Sequence, residues 1–216
     1  MLLKDLLSDV PGVLETRGDA EIQALVTDSR EKARNGLFFC ISGMRFDAHD
    51  FAAQAVENGC VALVVEHFVD SPVAQVRVDN VRRATAYIAA AFYGHPARKL
   101  RMVGVCGTKG KTTTTYLMKA ILEKAGFKTG LIGTTGNLIG DRSLPSNMTT
   151  PDPVDLHRCL RQMVDEGVEA VSMEVSAHAV DMHRVDGITF EAACYTNFSQ
   201  DHLDYFGTME KYFETK

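Results

Sequence analysis

The sequence predicts an α/β protein in two parts, a small α/β unit followed by a doubly wound, mostly parallel sheet. Three observations predict it. Apolar runs alternate with amphipathic stretches along most of the 216 residues, the rhythm of strands joined by crossover helices. That rhythm changes near His95-Pro96-Ala97-Arg98-Lys99, from short strands to longer βα units, which puts the expected domains at 1–97 and 98–216. Finally, the apolar run Arg101–Cys106 passes through a glycine-rich turn directly into a helix that opens with a lysine and a row of threonines.

In the first part, Ile22–Val26, Gly36–Ser42, Val61–Glu66 and Ala74–Val78 read as short strands. Two helices lie among them: Asp50–Asn58, stopped by Gly59, and Val81–Tyr93, stopped by Gly94 and Pro96. In the second part a strand at Arg101–Cys106 leads to a helix at Lys111–Ala125, with Leu117, Ile121 and Leu122 apolar and Gly126 just past its end. A strand at Lys128–Ile132 and a polar, Gly/Ser/Asn-rich loop follow. Asp152 can cap the next helix, with Pro153 at its first position and Gly167 beyond its end. Val168–Val175 and Ile188–Tyr195 are apolar enough to be buried parallel strands. A further helix begins after Thr208, and four parallel strands without a closing element read as the first part of a larger sheet.

Composition excludes some classes. The formal net charge of -5 comes with no block of like charges, so nothing electrostatic points to nucleic acid. No apolar run approaches the ~20 residues that cross a bilayer, and the N-terminus lacks the long apolar core of a signal peptide. Cysteines 40, 60, 106, 159 and 194 are scattered, odd in number and without a C-x-x-C pair. They read as free thiols of a cytoplasmic protein.

The groups that could carry chemistry sit at strand ends. In Gly104-Val105-Cys106-Gly107-Thr108-Lys109-Gly110-Lys111-Thr112-Thr113, glycines can turn backbone N–H groups toward phosphates and the helix start adds its dipole. Lys111 would reach the terminal phosphates and Thr112 would offer a hydroxyl to Mg²⁺. The full G-x-x-x-x-G-K-[ST] pattern is not met, because Val105 stands at its first glycine. A plain strand–turn–helix therefore remains open on this stretch alone. Glu174, near the end of a buried strand, is either a Mg²⁺ ligand or a capped loop acid. His202, in Asp201-His202-Leu203-Asp204, is a metal ligand, a base or a solvated residue. Thr149-Thr150-Pro151, His183-Arg184 and Asp28-Ser29-Arg30 read as ordinary turns, although an arginine in a nucleotide site can fork onto phosphate or carboxylate.

In order and spacing, these motifs resemble the Mur ligase family, and within it the MurE type. Thr27-Asp28-Ser29-Arg30, Gly36-Leu37-Phe38-Phe39 with Ser42-Gly43, and Gly107 to Thr113 carry the resemblance. So do Thr149-Thr150-Pro151, Met173-Glu174-Val175-Ser176-Ala177-His178, His183-Arg184-Val185 and Tyr195-Thr196-Asn197 through Asp201-His202-Leu203-Asp204-Tyr205. It implies a UDP-sugar-binding N-terminal domain and part of a central P-loop ATPase domain. The implied activity is ATP-dependent addition of the third amino acid to UDP-N-acetylmuramoyl-L-alanyl-D-glutamate in peptidoglycan synthesis. The ligase would be a cytoplasmic bacterial monomer with small-molecule substrates and no nucleic-acid or membrane partner.

By the same resemblance, Gly107, Thr108, Lys109, Gly110, Lys111, Thr112 and Thr113 bind ATP. Glu174, His202 and Lys216 hold Mg²⁺ with Thr112, Lys216 serving as a carbamate formed with CO₂. Lys111, Glu174, His202 and Lys216 form the catalytic set. Thr27, Ser29 and the loop of Met44, Arg45 and Phe46 match uridine-side contacts; Thr149, Thr150, Ser176 and Arg184 match contacts to the muramoyl peptide, with Met182 where a polar contact is often found. The chain departs from the family pattern in having Lys109 in place of asparagine and Ala177 in place of a second serine. A non-catalytic ATP- or UDP-sugar-binding module and a MurF-type ligase are the alternatives. A P-loop kinase or GTPase leaves the Asp-Ser-Arg and Asp-His-Leu-Asp segments without a role.

Overall fold

A run such as Cys60–Val65, apolar at every position, fits a strand with both faces covered. The computed structural model describes residues 1–43, 46–144 and 148–216 and forms two units, Met1–Phe92 and Tyr93–Lys216. In the first unit the elements run α1 (Leu3–Leu6), β1 (Val13–Arg17), β2 (Ala24–Val26), β3 (Gly36–Phe39), α2 (Ala52–Glu57), β4 (Cys60–Val65), β5 (Ala74–Val78) and α3 (Val81–Phe92). The sheet order is β1-β5-β4-β3-β2, parallel except for β1, which pairs antiparallel with β5. Phe38, Leu63 and Val65 pack with Ala52 and Ala55 of α2 in one core cluster.

The second unit runs β6 (Arg101–Cys106), α4 (Lys111–Lys124), β7 (Thr129–Gly133), β8 (Gly136–Ile139), β9 (Arg142–Leu144), α5 (Pro153–Asp165), β10 (Ala170–Glu174), α6 (Ala177–Asp181), β11 (Ala192–Tyr195), α7 (Leu203–Phe206) and α8 (Met209–Thr215). Its sheet order is β11-β6-β10-β7-β8-β9. The first four are parallel, and β8 and β9 add an antiparallel hairpin. Leu156, Leu160 and Met163 of α5 pack on Met102, Ile132, Val171 and Met173 of the sheet. Side-chain alternation sends Ala170, Ser172 and Glu174 to the other face of β10.

From the adjacent strands β6 and β10 the chain leaves in opposite directions, toward β7 and toward β11. A crevice at the carboxyl ends of such strands is where open α/β sheets bind ligands. Two expectations shift. The segment at 136–144 is a hairpin with a two-residue Gly140-Asp141 turn rather than a loop. The last strand starts at Ala192, not Ile188, while Ile188 and Phe190 still pack on the α5 core. No described helix is long and apolar enough to cross a membrane.

Candidate active site

The turn after β6 is held open by side chains from far along the chain. Gly107 has φ +134° and a Cβ there would lie 2.0 Å from Thr196 Oγ1. Thr108 donates its N–H to Asn197 O (2.9 Å), and its buried hydroxyl lies 3.2 Å from both Ser199 O and Tyr212 Oη. The Lys109 N–H donates to Asn197 Oδ1 (3.0 Å), while its carbonyl accepts from Thr196 Oγ1 (2.7 Å) and Asn197 Nδ2 (3.0 Å). Gly110 stands at the N-cap of α4 without a side-chain cap bond, and the N–H groups of a helix's first turn suit an anion.

Three lysines gather at this turn. Lys111 Nζ donates to Gly107 O and Thr108 O, both at 2.9 Å. Burial, then the neighbouring Lys216, pull its pKa below the ordinary lysine value. Lys216 Nζ donates to Gly107 O at 2.6 Å and lies 4.8 Å from the Tyr212 ring centroid. Lys109 Nζ pairs with Asp201 Oδ2 at 3.1 Å, which holds Asp201 below the usual carboxylate range.

Opposite the turn, Glu174 ends β10 and is 1% exposed. Its carboxylate accepts from the Thr134 N–H (3.0 Å) and hydroxyl (3.1 Å), both neutral donors. Thr134 also meets Thr149 Oγ1 at 3.0 Å. Thr150 donates its hydroxyl to Glu174 O at 2.9 Å, and Ser176 caps α6 by accepting the Ala179 N–H. Arg184 donates to Thr150 O (3.0 Å) and pairs with Asp152 Oδ1 (2.9 Å). Asp152 therefore stands at the N-cap position of α5 without a side-chain cap bond. Met182 lies against Arg184, its Sδ 3.5 Å from the guanidinium. His202, at φ 52°, packs edge-on against His178, with ring centroids 4.7 Å apart. Burial and then His202 lower the His178 pKa.

One cleft of about 530 Å³ brings most of these together. Thr108, Lys109, Gly110, Lys111 and Thr112 line it together with Thr149, Thr150, Glu174, Ser176, Arg184 and His202, and Thr134, Met148 and His178 complete the lining. Thr113 faces solvent on α4, and Lys216 bonds Gly107 O without lining the cleft. His178 and Asn197 fall within motifs of the resemblance but were given no role there, and Thr134 was not singled out in the sequence. Thr134 follows a strand directly, in Gly133-Thr134-Thr135-Gly136, and that position was the available signal.

In the first unit, Ser29 donates its hydroxyl to Gln54 Oε1 at 2.7 Å, and Thr27 is exposed. Arg30 bonds Asp28 at 2.6 and 2.9 Å and holds its pKa down to about 2. Phe46 is 72% exposed, while Met44 and Arg45 lie outside the described residues. Asp47, His49 and His67 also cluster. However, His49 Nδ1 meets Asp47 at 2.6 Å and Nε2 accepts the Glu66 N–H, so both its nitrogens are engaged.

The chain is 52% identical over its whole length to a protein of Geobacillus thermodenitrificans (strain NG80-2), UDP-N-acetylmuramoyl-L-alanyl-D-glutamate–2,6-diaminopimelate ligase, and covers 44% of it. The Geobacillus kaustophilus (strain HTA426) protein of the same name is 50% identical at the same coverage. The chain thus spans less than half the length of these curated relatives. A solved diaminopimelate ligase of that name superposes with TM-score 0.77 at 28% identity, over 90% of this chain and 40% of the other. A MurF ligase from Thermotoga maritima in complex with ADP gives 0.58 at 27% identity, over 89% and 42%. The profile of the Mur ligase middle domain matches residues 105–216, more than half of the sequence, and the chain belongs to the Mur ligase family.

Proposed function

We propose that this chain carries the ATP-binding part of a MurE-type amide ligase. The ligase joins diaminopimelate to UDP-N-acetylmuramoyl-L-alanyl-D-glutamate with formation of ADP and phosphate. One observation carries the reading: the Lys111 turn, Glu174, His202 and Arg184 line a single cleft. The turn and the start of α4 receive the triphosphate, and Lys111 moves from the loop carbonyls to its terminal oxygens. Arg184, Thr150 and Ser176 orient the muramoyl peptide so that its carboxylate meets the γ-phosphate. The acyl phosphate so formed reacts with the incoming amine, which expels phosphate. The first unit takes the uridine end through Thr27, Ser29, Met44, Arg45 and Phe46.

The donor set fits Mg²⁺. Glu174 is buried with only neutral hydrogen-bond donors among the described residues, which leaves its charge for a cation. Thr112 and His202 line the same cleft, and a carbamate on Lys216 would add another oxygen. Such an ion neutralises phosphate charge during transfer. Free thiols suit a cytoplasmic setting: burial pushes Cys40 to about 12 and Cys60 and Cys159 to about 11.

The test is phosphate release by the full-length protein, expected only when ATP, UDP-muramoyl dipeptide and diaminopimelate are all present. Nucleotide binding without release under any amine would mark a binding module instead. Lys216→Ala should lose ligation by more than about 100-fold, and added formate or acetate should restore part of it. Wild-type rates in that variant would discard the carbamate.

A further inference from the structure

We propose that Lys109 changes partner when the nucleotide binds. Its ammonium leaves Asp201 for the polyphosphate, so Asp201 acts as a built-in competitor that sets ATP affinity. The proposal rests on reading the cleft as an ATP site. Three features carry it. The Lys109 backbone is fixed by Asn197 and Thr196 through three hydrogen bonds, so movement is left to a flexible four-carbon stem. The Lys109 side chain is 70% exposed, and its ammonium meets Asp201 Oδ2 at 3.1 Å. Exposed ion pairs of this kind are weak and easily exchanged.

The neighbouring lysines are held differently. Both Lys111 and Lys216 donate to the carbonyl of Gly107, within the turn itself. Among the described residues, Lys109 is the lysine of this turn paired with a carboxylate. A polyphosphate bound against the turn offers several charged oxygens in place of one carboxylate, and charge-assisted bonds to phosphate are strong. Asp201 keeps a partner after the exchange, because Oδ1 accepts the His202 N–H at 3.1 Å.

This geometry predicts an effect of unusual sign. Asp201→Asn retains an acceptor for the His202 amide while removing the competing charge, so ATP should bind more tightly. The experiment is calorimetric titration of the full-length protein with ATP, once with Mg²⁺ and once in EDTA, which removes any effect of Asp201 on a bound cation. In EDTA, Asp201→Asn should tighten ATP about two- to fivefold, the equivalent of an exposed ion pair. Lys109→Asn should weaken it about tenfold, and the double variant should match Lys109→Asn. Unchanged or weaker binding by Asp201→Asn in EDTA overturns the exchange, as does a gain that persists without Lys109. No binding of ATP with Mg²⁺ by the wild type would overturn the reading of the cleft together with the exchange.

Discussion

At Gly107 a methyl group would sit 2.0 Å from the Thr196 hydroxyl, on a backbone at φ +134° that other residues avoid. Gly107→Ala should cost about 2–3 kcal/mol in urea unfolding and weaken ATP binding at least about tenfold, since the turn must shift. His157 is a second residue with a measurable signature. It is 1% exposed, neither ring nitrogen has a hydrogen-bond partner among the described residues, and burial followed by His95 lowers its pKa to about 4. The folded value lies below the ordinary 6.5, so between the two the unfolded chain binds the extra proton. This contribution to stability is therefore complete above pH 6.5 and is lost as pH falls toward 4. Chemical denaturation of the second unit should lose about 2 kcal/mol between pH 7 and 5 from this group. His157→Leu should remove that slope and raise stability at pH 5. A slope equal to that of the wild type would show the proton is taken up elsewhere.

Among elements, the end of β7 and the end of β10 meet at Glu174. Thr134 holds both carboxylate oxygens, and a Cβ on Gly133 would lie 2.4 Å from Glu174 Oε1. Gly133→Ala should displace that carboxylate and raise the Mg²⁺ concentration needed for half-maximal activity about tenfold or more, with folding little changed by circular dichroism. Equal Mg²⁺ demand would remove Glu174 from the metal set. Elements that bury an apolar face were legible: the α5 stripe and the continuous β4 run could be read from spacing. The start of α4 was legible from its glycine turn, but the helix buries Thr115 and Lys119 and leaves Leu117 and Ile121 exposed, so its apolar residues do not mark its packed face. The exposed strand β1 (Val13–Arg17) was not, because only Val13 is even partly buried and no alternation marks it. The β8–β9 hairpin was hidden by brevity and polar composition, although its buried Asn137 and Ile139 are held by pairing with β7. Asp152 had a cap's sequence position, yet its carboxylate went to Arg184, a partner 32 residues away that local spacing cannot announce.

For the whole molecule, hydrogen exchange followed by mass spectrometry separates the two units. ATP with Mg²⁺ should protect the amides at 104–113 and 196–202 most strongly, leaving the strands of Met1–Phe92 nearly unchanged. Protection confined to the first unit would reverse the assignment of the nucleotide site. Order and spacing of motifs could be read along the sequence, so Lys111, Glu174 and His202 were legible as a set. The roles of their supports were not: Thr134 reaches Glu174 because β7 lies beside β10, and Asn197 reaches the turn because β11 lies beside β6.

The glycine turn also has a history in time. Thr108 and Ser199 are 91 positions apart, so the turn cannot be locked when it leaves the ribosome. At roughly 5–20 residues per second, about 5–18 seconds pass before its anchoring segment is made. A nascent chain arrested short of Thr196 should therefore fail to retain ATP on an affinity resin, while the released protein should retain it. At the proposed ATP site, nucleotide capture would then time how far synthesis of the second unit has advanced.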